Sequence, residues 1–230
     1  MDASERNQVL AEARRFLEDL CLFDGASFIA PQALTGVQDG PAPVAVAAEP
    51  PPEPAPVPAA GERAAGLEAF RQEICNCTRC PLGQTRQRFV FGDGDPEAGI
   101  LFVGEGPGEE EDRQGLPFVG AAGQLLTKII EAMKMRRDQV YICNTVKCRP
   151  PGNRTPSPEE LQACEPYLAR QIEIIQPRII CALGRTAAQV LLQESAPLNA
   201  LRGRLHSYRG IPVVVTYHPA ALLRHAEWNR

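Results

Sequence analysis

The sequence predicts a three-layer α/β/α sandwich built around a four-stranded parallel sheet. Four short apolar runs, at 99–104, 139–143, 178–183 and 211–216, have the continuous hydrophobicity of strands covered on both faces. Helical apolar spacing fills 120–135, 158–175 and 184–194 between them, the alternation that makes a parallel sheet. Three of the runs end in polar residues, Gly104-Glu105, Asn144 and Tyr217-His218. In open parallel sheets, sites gather beyond the carboxyl ends of the strands.

In chain order, residues 5–20 place Val9, Leu10, Ala13, Phe16, Leu17 and Leu20 at helical spacing, which predicts an amphipathic helix within 1–25. From Pro41 to Pro58 there are eight prolines among Ala, Val and Glu, a composition that holds neither helix nor sheet. Residues 26–66 are therefore predicted to be a disordered Pro/Ala-rich linker, and 67–230 the globular domain. A helix near 65–76 leads into Cys77.

At 230 residues and 44% hydrophobic content the chain can bury one core of ordinary size. No apolar run approaches membrane-spanning length, and the acidic N-terminus lacks a secretory apolar segment, so no membrane association and a cytoplasmic location are expected. The net charge of −4 is uneven. Residues 1–66 hold ten acids and four bases, leaving 18 acids and 20 bases for 67–230. Binding of nucleic acid would then rest on local Arg-rich patches, at 86–88, 136–137, 147–154 and 202–209.

Eight cysteines in a reducing compartment point to metal or redox chemistry. Cys77-Thr-Arg-Cys80 forms a C-x2-C knuckle, and Cys148 and Cys164 flank the loop RPPGNRTPSP; two such pairs can converge on one centre. Spacing does not separate zinc from iron-sulfur. Cys143 and Cys181 sit in strand patterns and read as small hydrophobes.

The stretch GEGPGEEED, from Gly104, has the position of a strand-to-helix phosphate turn. It is one residue short of the dinucleotide fingerprint, and its four consecutive acids would repel phosphate.

Together, CTRCPLG (77–83), GEGPGEEEDRQGLPFVG (104–120), ICNTVKCRPPGNRTPSPEELQAC (142–164) and YHPAALLR (217–224) resemble the family 4 uracil-DNA glycosylases, over roughly residues 67–226. The resemblance implies a 4Fe-4S cluster on Cys77, Cys80, Cys148 and Cys164. It implies excision of uracil from single- and double-stranded DNA, opening base excision repair, with the base flipped into a fitted pocket. Within that pocket Gly104 and Gly106 let the backbone approach sugar and base, and Glu105 serves the sugar cation and the attacking water. Phe118 stacks on the base, although on residue grounds alone it reads as well as a core aromatic. Asn144 reads N3–H and O4, and His218 donates to O2 as charge builds on the leaving base. Glu111 helps exclude the 5-methyl of thymine, while Glu109, Glu110 and Asp112 are read as helix-start, solvent-facing acids. Leu222 fills the gap left by the flipped base and Arg224 lies near the phosphates. Family 1 glycosylases carry an Asp where this chain has Gly106, so a direct general base is not apparent. Two further expectations are a poorly active DNA-binding accessory module as the alternative function, and a protein partner for the N-terminal helix.

Overall fold

The structure, a computed structural model, describes residues 61–224. The predicted N-terminal helix, residues 26–60 of the predicted linker and His225 lie outside the described residues, whereas 62–66, expected to end the linker, are the start of a helix, so the ordered domain begins some five residues earlier than expected. The elements run α1 (Glu62–Ile74), α2 (Leu82–Thr85), β1 (Asp93–Gly94), β2 (Ile100–Gly104), α3 (Glu109–Gln114), α4 (Ala121–Ala132) and β3 (Tyr141–Asn144). They continue with α5 (Pro158–Ile175), β4 (Ile179–Leu183), α6 (Arg185–Leu192), α7 (Leu198–Leu201), β5 (Leu205–Tyr208), β6 (Ile211–Thr216) and α8 (Pro219–Arg224).

The sheet has six strands in the order β1-β3-β2-β4-β6-β5. The inner four are the predicted parallel strands, and the two edges are antiparallel additions that correct the expected count of four. Both edges lack the apolar signal of a covered strand. β1 is only Asp-Gly, and β5 reads Leu-His-Ser-Tyr with one buried residue of four.

The inner strands bury side chains on both faces, alternating along each strand. Leu101, Val103, Cys143, Ile180, Ala182, Val213 and Val215 pack in one cluster with Leu67 and Phe70 of α1, Leu168 and Ile172 of α5 and Ala187 and Leu191 of α6. Phe102, Ile142, Cys181, Leu183 and Val214 point the other way, against Leu126 and Ile130 of α4. Cys143 and Cys181 are fully buried core residues, as expected, and burial pushes the Cys181 thiol up to about 12. The Arg63 guanidinium ties α1 to the end of α5 by donating to the Ile175 carbonyl at 2.8 Å, from a side chain that is itself buried.

Chain order makes β2 the pivot. The chain leaves β2 toward β3 on one side, and later returns through β4 and β6 on the other. The adjacent carboxyl ends of β2 and β4 therefore flank a topological switch point, where connections diverge and leave a crevice.

Candidate active site

A cleft of about 400 Å³ opens at that crevice. Its lining includes Glu105, Phe118, Asn144 and His218, so the three polar strand exits converge as predicted. Gly106, Glu111 and Arg224 also line it. The size suits a small planar ligand.

Asn144 ends β3 and is 2% exposed. Its Oδ1 is buried and accepts no hydrogen bond from the protein, an uncommon state for a buried acceptor. A Cβ added to Gly104 would stand 2.4 Å from that oxygen and 2.5 Å from the Phe118 ring, so only glycine lets the β2 exit pass this close to both. Behind Asn144, the fully buried Lys147 ammonium donates to the Asn144 carbonyl at 2.8 Å and to Gln171 Oε1 at 2.5 Å. The backbone from which the amide projects is thereby held from the side away from the cleft.

Phe118 is buried and belongs to the same apolar cluster as Leu126 of α4, while its ring stacks on the His218 ring at 5.5 Å between centroids. Phe118 is thus a core aromatic that also lines the cleft. Its backbone is left-handed, with φ 52°, a conformation that costs a non-glycine residue of order 1–3 kcal/mol and needs support. The support is visible. Glu111 Oε1 accepts from the Val119 and Gly120 amides at 2.8 Å each, Oε2 accepts from the Gly108 amide at 3.1 Å, and the Arg137 guanidinium donates to the Pro117 carbonyl at 2.6 Å. Gly123 of α4 lies against the Phe118 carbonyl with no room for a Cβ. Glu111 thus lines the cleft while its carboxylate holds the loop that carries Phe118.

The acids after Gly108 divide. Glu109 and Glu110 are exposed at the start of α3, paired with Arg149 and Arg113. Asp112, expected to face solvent, is 2% exposed: its Oδ1 accepts from the Gln87 and Arg88 amides at 2.9 and 3.3 Å and ties that segment to α3.

His218 follows β6. The Ala220 amide donates to its Nδ1 at 3.1 Å, so in the neutral ring the proton resides on Nε2, which becomes the donor. Burial, and then the charge of Arg224, hold its pKa down at about 4, so the ring is neutral at physiological pH. Leu222 is half-buried on α8, and its neighbour Leu223 is the exposed leucine there, at 49%. Glu105 accepts at Oε2 from the Thr186 hydroxyl at 2.5 Å. Its carbonyl accepts from the Val146 amide at 3.2 Å and from the Thr145 hydroxyl, which fixes the turn after β2.

Lys147 and Arg137, read from the sequence as members of basic surface patches, instead face inward partners, Lys147 fully buried on Asn144 and Gln171 and Arg137 on the Pro117 carbonyl. Sequence reasoning missed the fourth strand exit, Leu183-Gly184-Arg185, which also lines the cleft. That exit had a signal, an apolar run ending in Gly followed by a helix; it lacked the His, Asn or acid that marked the other three exits.

The four cysteines meet at one corner. Cys148 and Cys164 are buried in a small cluster with Leu82 and Val146, and Cys80 and Tyr167 pack against it. The Tyr167 hydroxyl donates to Cys77 Sγ at 3.1 Å. Arg86 donates to Cys148 Sγ at 3.1 Å and to the Cys77 carbonyl at 2.7 Å. Burial pushes the Cys164 thiol up to about 12 against the opposing pull of Lys147, and raises Cys148 against Arg86. No group of three or more His, Cys, Asp or Glu side chains among the described residues is arranged to hold a single metal ion.

The family model for the uracil DNA glycosylase superfamily matches residues 91–230. A type-4 uracil-DNA glycosylase of Sulfurisphaera tokodaii is 48% identical over 166 residues, 68% of this chain and 76% of its own. One from Thermotoga maritima is 48% identical over 160 residues, 69% of this chain and 83% of its own, and one from Pyrobaculum aerophilum is 46% identical over 166 residues, 69% and 85%. The type-5 enzyme of Thermus thermophilus is more distant, at 33% over 62% of this chain and 77% of its own. The chain belongs to the uracil DNA glycosylase superfamily, in its type-4 branch.

Proposed function

We propose that this chain hydrolyses the N-glycosidic bond of deoxyuridine flipped from DNA, releasing uracil and leaving an abasic site. The observation that carries the reading is the bare, buried Oδ1 of Asn144 in a cleft walled by an aromatic ring and by a neutral histidine. A buried acceptor without a partner is costly unless a ligand supplies the donor, and N3–H of uracil is such a donor. The Asn144 amide NH2 then faces O4, and Phe118 stacks on the ring.

As the C1′–N1 bond breaks, its electron pair leaves with the base and charge collects on O2. The Nε2–H of neutral His218 donates to O2, a contact that strengthens as charge develops. The sugar becomes an oxocarbenium-like cation beside the Glu105 carboxylate. Water adds to C1′ and its proton is lost to bulk solvent or to the departing base. Glu111 acts through the Phe118 loop, closing the wall where a thymine methyl would have to fit. Arg224 meets a phosphate and Leu222 fills the vacated stack, in single- and double-stranded DNA.

For the cofactor, Cys77, Cys80, Cys148 and Cys164 would hold a 4Fe-4S cluster. The corner suits an anionic group. Arg86 touches Cys148 Sγ, and the buried Lys147, whose hydrogen-bond partners are the neutral Asn144 carbonyl and Gln171 amide, lies close enough to Cys164 to favour its thiolate. A cluster held by these four thiolates would supply a cross-link between the knuckle, the β3 exit and α5. The seven free cysteines among the described residues agree with a reducing, cytoplasmic setting, and no described helix is long and apolar enough to cross a membrane. The N-terminal segment is assigned to a protein partner.

The test is a single-turnover assay on an oligonucleotide with one uracil, followed by alkaline cleavage of abasic sites. Strand scission dependent on both uracil and enzyme supports the proposal, and intact strands with a folded, iron-loaded protein reject it.

A further inference from the structure

Glu105 faces the cleft from the β2 exit, and a carboxylate on a loop after a strand has several rotamers to choose from. Among the described residues a single group donates to it, the hydroxyl of Thr186, at 2.5 Å from Oε2. Thr186 lies 81 residues on, in the first turn of α6, directly after the β4 exit. It is 6% exposed, so the hydroxyl is withdrawn from bulk water, and such a buried O–H needs an acceptor. β2 and β4 are neighbours in the sheet, and the bond spans the switch point between them. Oε1 is left without a protein donor among the described residues, on a side chain that lines the cleft.

We propose that Thr186 is a positioning residue for excision: its hydroxyl fixes the Glu105 carboxylate across the switch point, with one oxygen held and the other presented to the sugar and the attacking water. The inference rests on the reading of Glu105 as the carboxylate that serves the sugar. It adds a requirement from a strand exit whose sequence carries no acid, base or amide. Preorganisation is what the bond supplies. An untethered carboxylate would have to be ordered during the reaction, whereas a tethered one is already aimed at the place where positive charge develops. Thr186 acts only through Glu105, so its effect should vanish when Glu105 is gone.

The experiment compares the full chain with Thr186→Val, Thr186→Ser, Glu105→Ala and the Thr186→Val/Glu105→Ala pair. Single-turnover excision is measured beside binding to an oligonucleotide carrying a non-cleavable 2′-fluorodeoxyuridine. Val preserves shape and removes the hydroxyl; Thr186→Ala repeats the measurement without risk of overpacking, should Val lower the folded fraction. Loss of one hydrogen bond to a charged group predicts a rate roughly 10- to 100-fold lower in Thr186→Val, with binding nearly unchanged. Thr186→Ser should recover most of the rate, and the pair should be no slower than Glu105→Ala. Full activity in the folded Val and Ala variants, with Glu105→Ala slow, overturns the role of Thr186 and leaves the site intact. Failure of Ser to rescue, or an undiminished further loss in the pair, overturns it as well. Full activity in Glu105→Ala rejects the underlying reading instead.

Discussion

The cleft and the cysteine corner share one short piece of chain, Asn144 to Cys148, and are built in opposite ways. At the Asn144 end the protein's own atoms complete nearly everything: His218 has its tautomer set by a backbone amide, Glu105 is tethered, and one acceptor stays bare. At the Cys148 end burial disfavours the thiolates that ligation requires, while Arg86 and Lys147 favour them. The cleft is thus prepared for a neutral, planar, hydrogen-bonding molecule and the corner for an anionic group that displaces protons. Lys147 belongs to both, because its ammonium supports the Asn144 carbonyl and lies near Cys164. On the proposed reading, chemistry and cross-linking are separable functions joined by four peptide bonds, and substitutions on the two sides should fail differently.

The largest effects should fall on chemistry in the cleft. His218→Ala and Glu105→Ala are each expected to slow single-turnover excision about 100- to 1,000-fold, the usual cost of one charge-stabilising group. Binding of a non-cleavable uracil oligonucleotide should change little, since both residues answer charge that exists mainly in the transition state. Equal losses in rate and binding would assign them to DNA contact and erase the distinction drawn above.

Asn144→Asp should come next. Replacing the amide NH2 by a carboxyl oxygen faces O4 with an acceptor, a mismatch of about 1–3 kcal/mol per unsatisfied group, or roughly 5- to 150-fold in rate. A relative gain toward cytosine is expected at mildly acidic pH, where a protonated Asp could donate to N3. Unchanged uracil excision in a folded, iron-containing Asn144→Asp protein would place base reading elsewhere in the cleft.

Cys77→Ala tests the corner. Its folded yield and its iron content should drop together, with loss of the broad visible absorbance of the purified protein, while the molecules that do fold and keep iron should excise at near the parental rate. A well-folded, colourless variant with tenfold slower chemistry would mean that the corner takes part in catalysis.

The pH dependence divides the two regions more finely. His218 has its ordinary value near 6.5 lowered to about 4 by burial and then by Arg224. Between those values the unfolded chain binds a proton here that the folded chain does not, so stability from this group is intact above pH 6.5 and falls as pH drops toward 4. So far as His218 governs it, excision should stay level down to about pH 5 and decline as pH passes through 4. Arg224→Gln should move that decline toward higher pH, because a neighbouring positive charge opposing protonation is removed. A decline centred at 6.5 in the parent would contradict the buried, neutral ring.

What could be read in advance follows from how locally each feature is determined. The inner strands and three of the exits were legible because a polar residue ending an apolar run is a signal within about six residues. Thr186, Lys147 and Arg137 were not, because their meaning lies in partners 81, 24 and 20 positions away. Asp112 misled for the same reason: in a run of four acids it looks like a helix-start residue, and only the amides of Gln87 and Arg88, folded against it, make it structural. Edge strands β1 and β5 carry too little apolar sequence to announce themselves.

The smallest effect expected is that of removing residues 1–60. The Pro-rich composition between Pro41 and Pro58 disfavours packing against the domain, and α1, which begins at Glu62, is already docked through Leu67, Phe70, Ile74 and the Arg63 bond to Ile175. Excision by a 61–230 protein should therefore stay within about twofold of the full chain, as expected when a linker separates a segment from the catalytic unit. A start at residue 76 would instead strip three buried apolar side chains from the sheet face, with a cost of several kcal/mol at about 1.5–3 kcal/mol each, and should give little folded protein. Loss of most excision in a folded 61–230 protein would mean that the N-terminal segment serves the cleft directly. Unchanged excision, with loss of a protein captured by the full chain but not by a version lacking residues 1–25, would assign that segment to a partner.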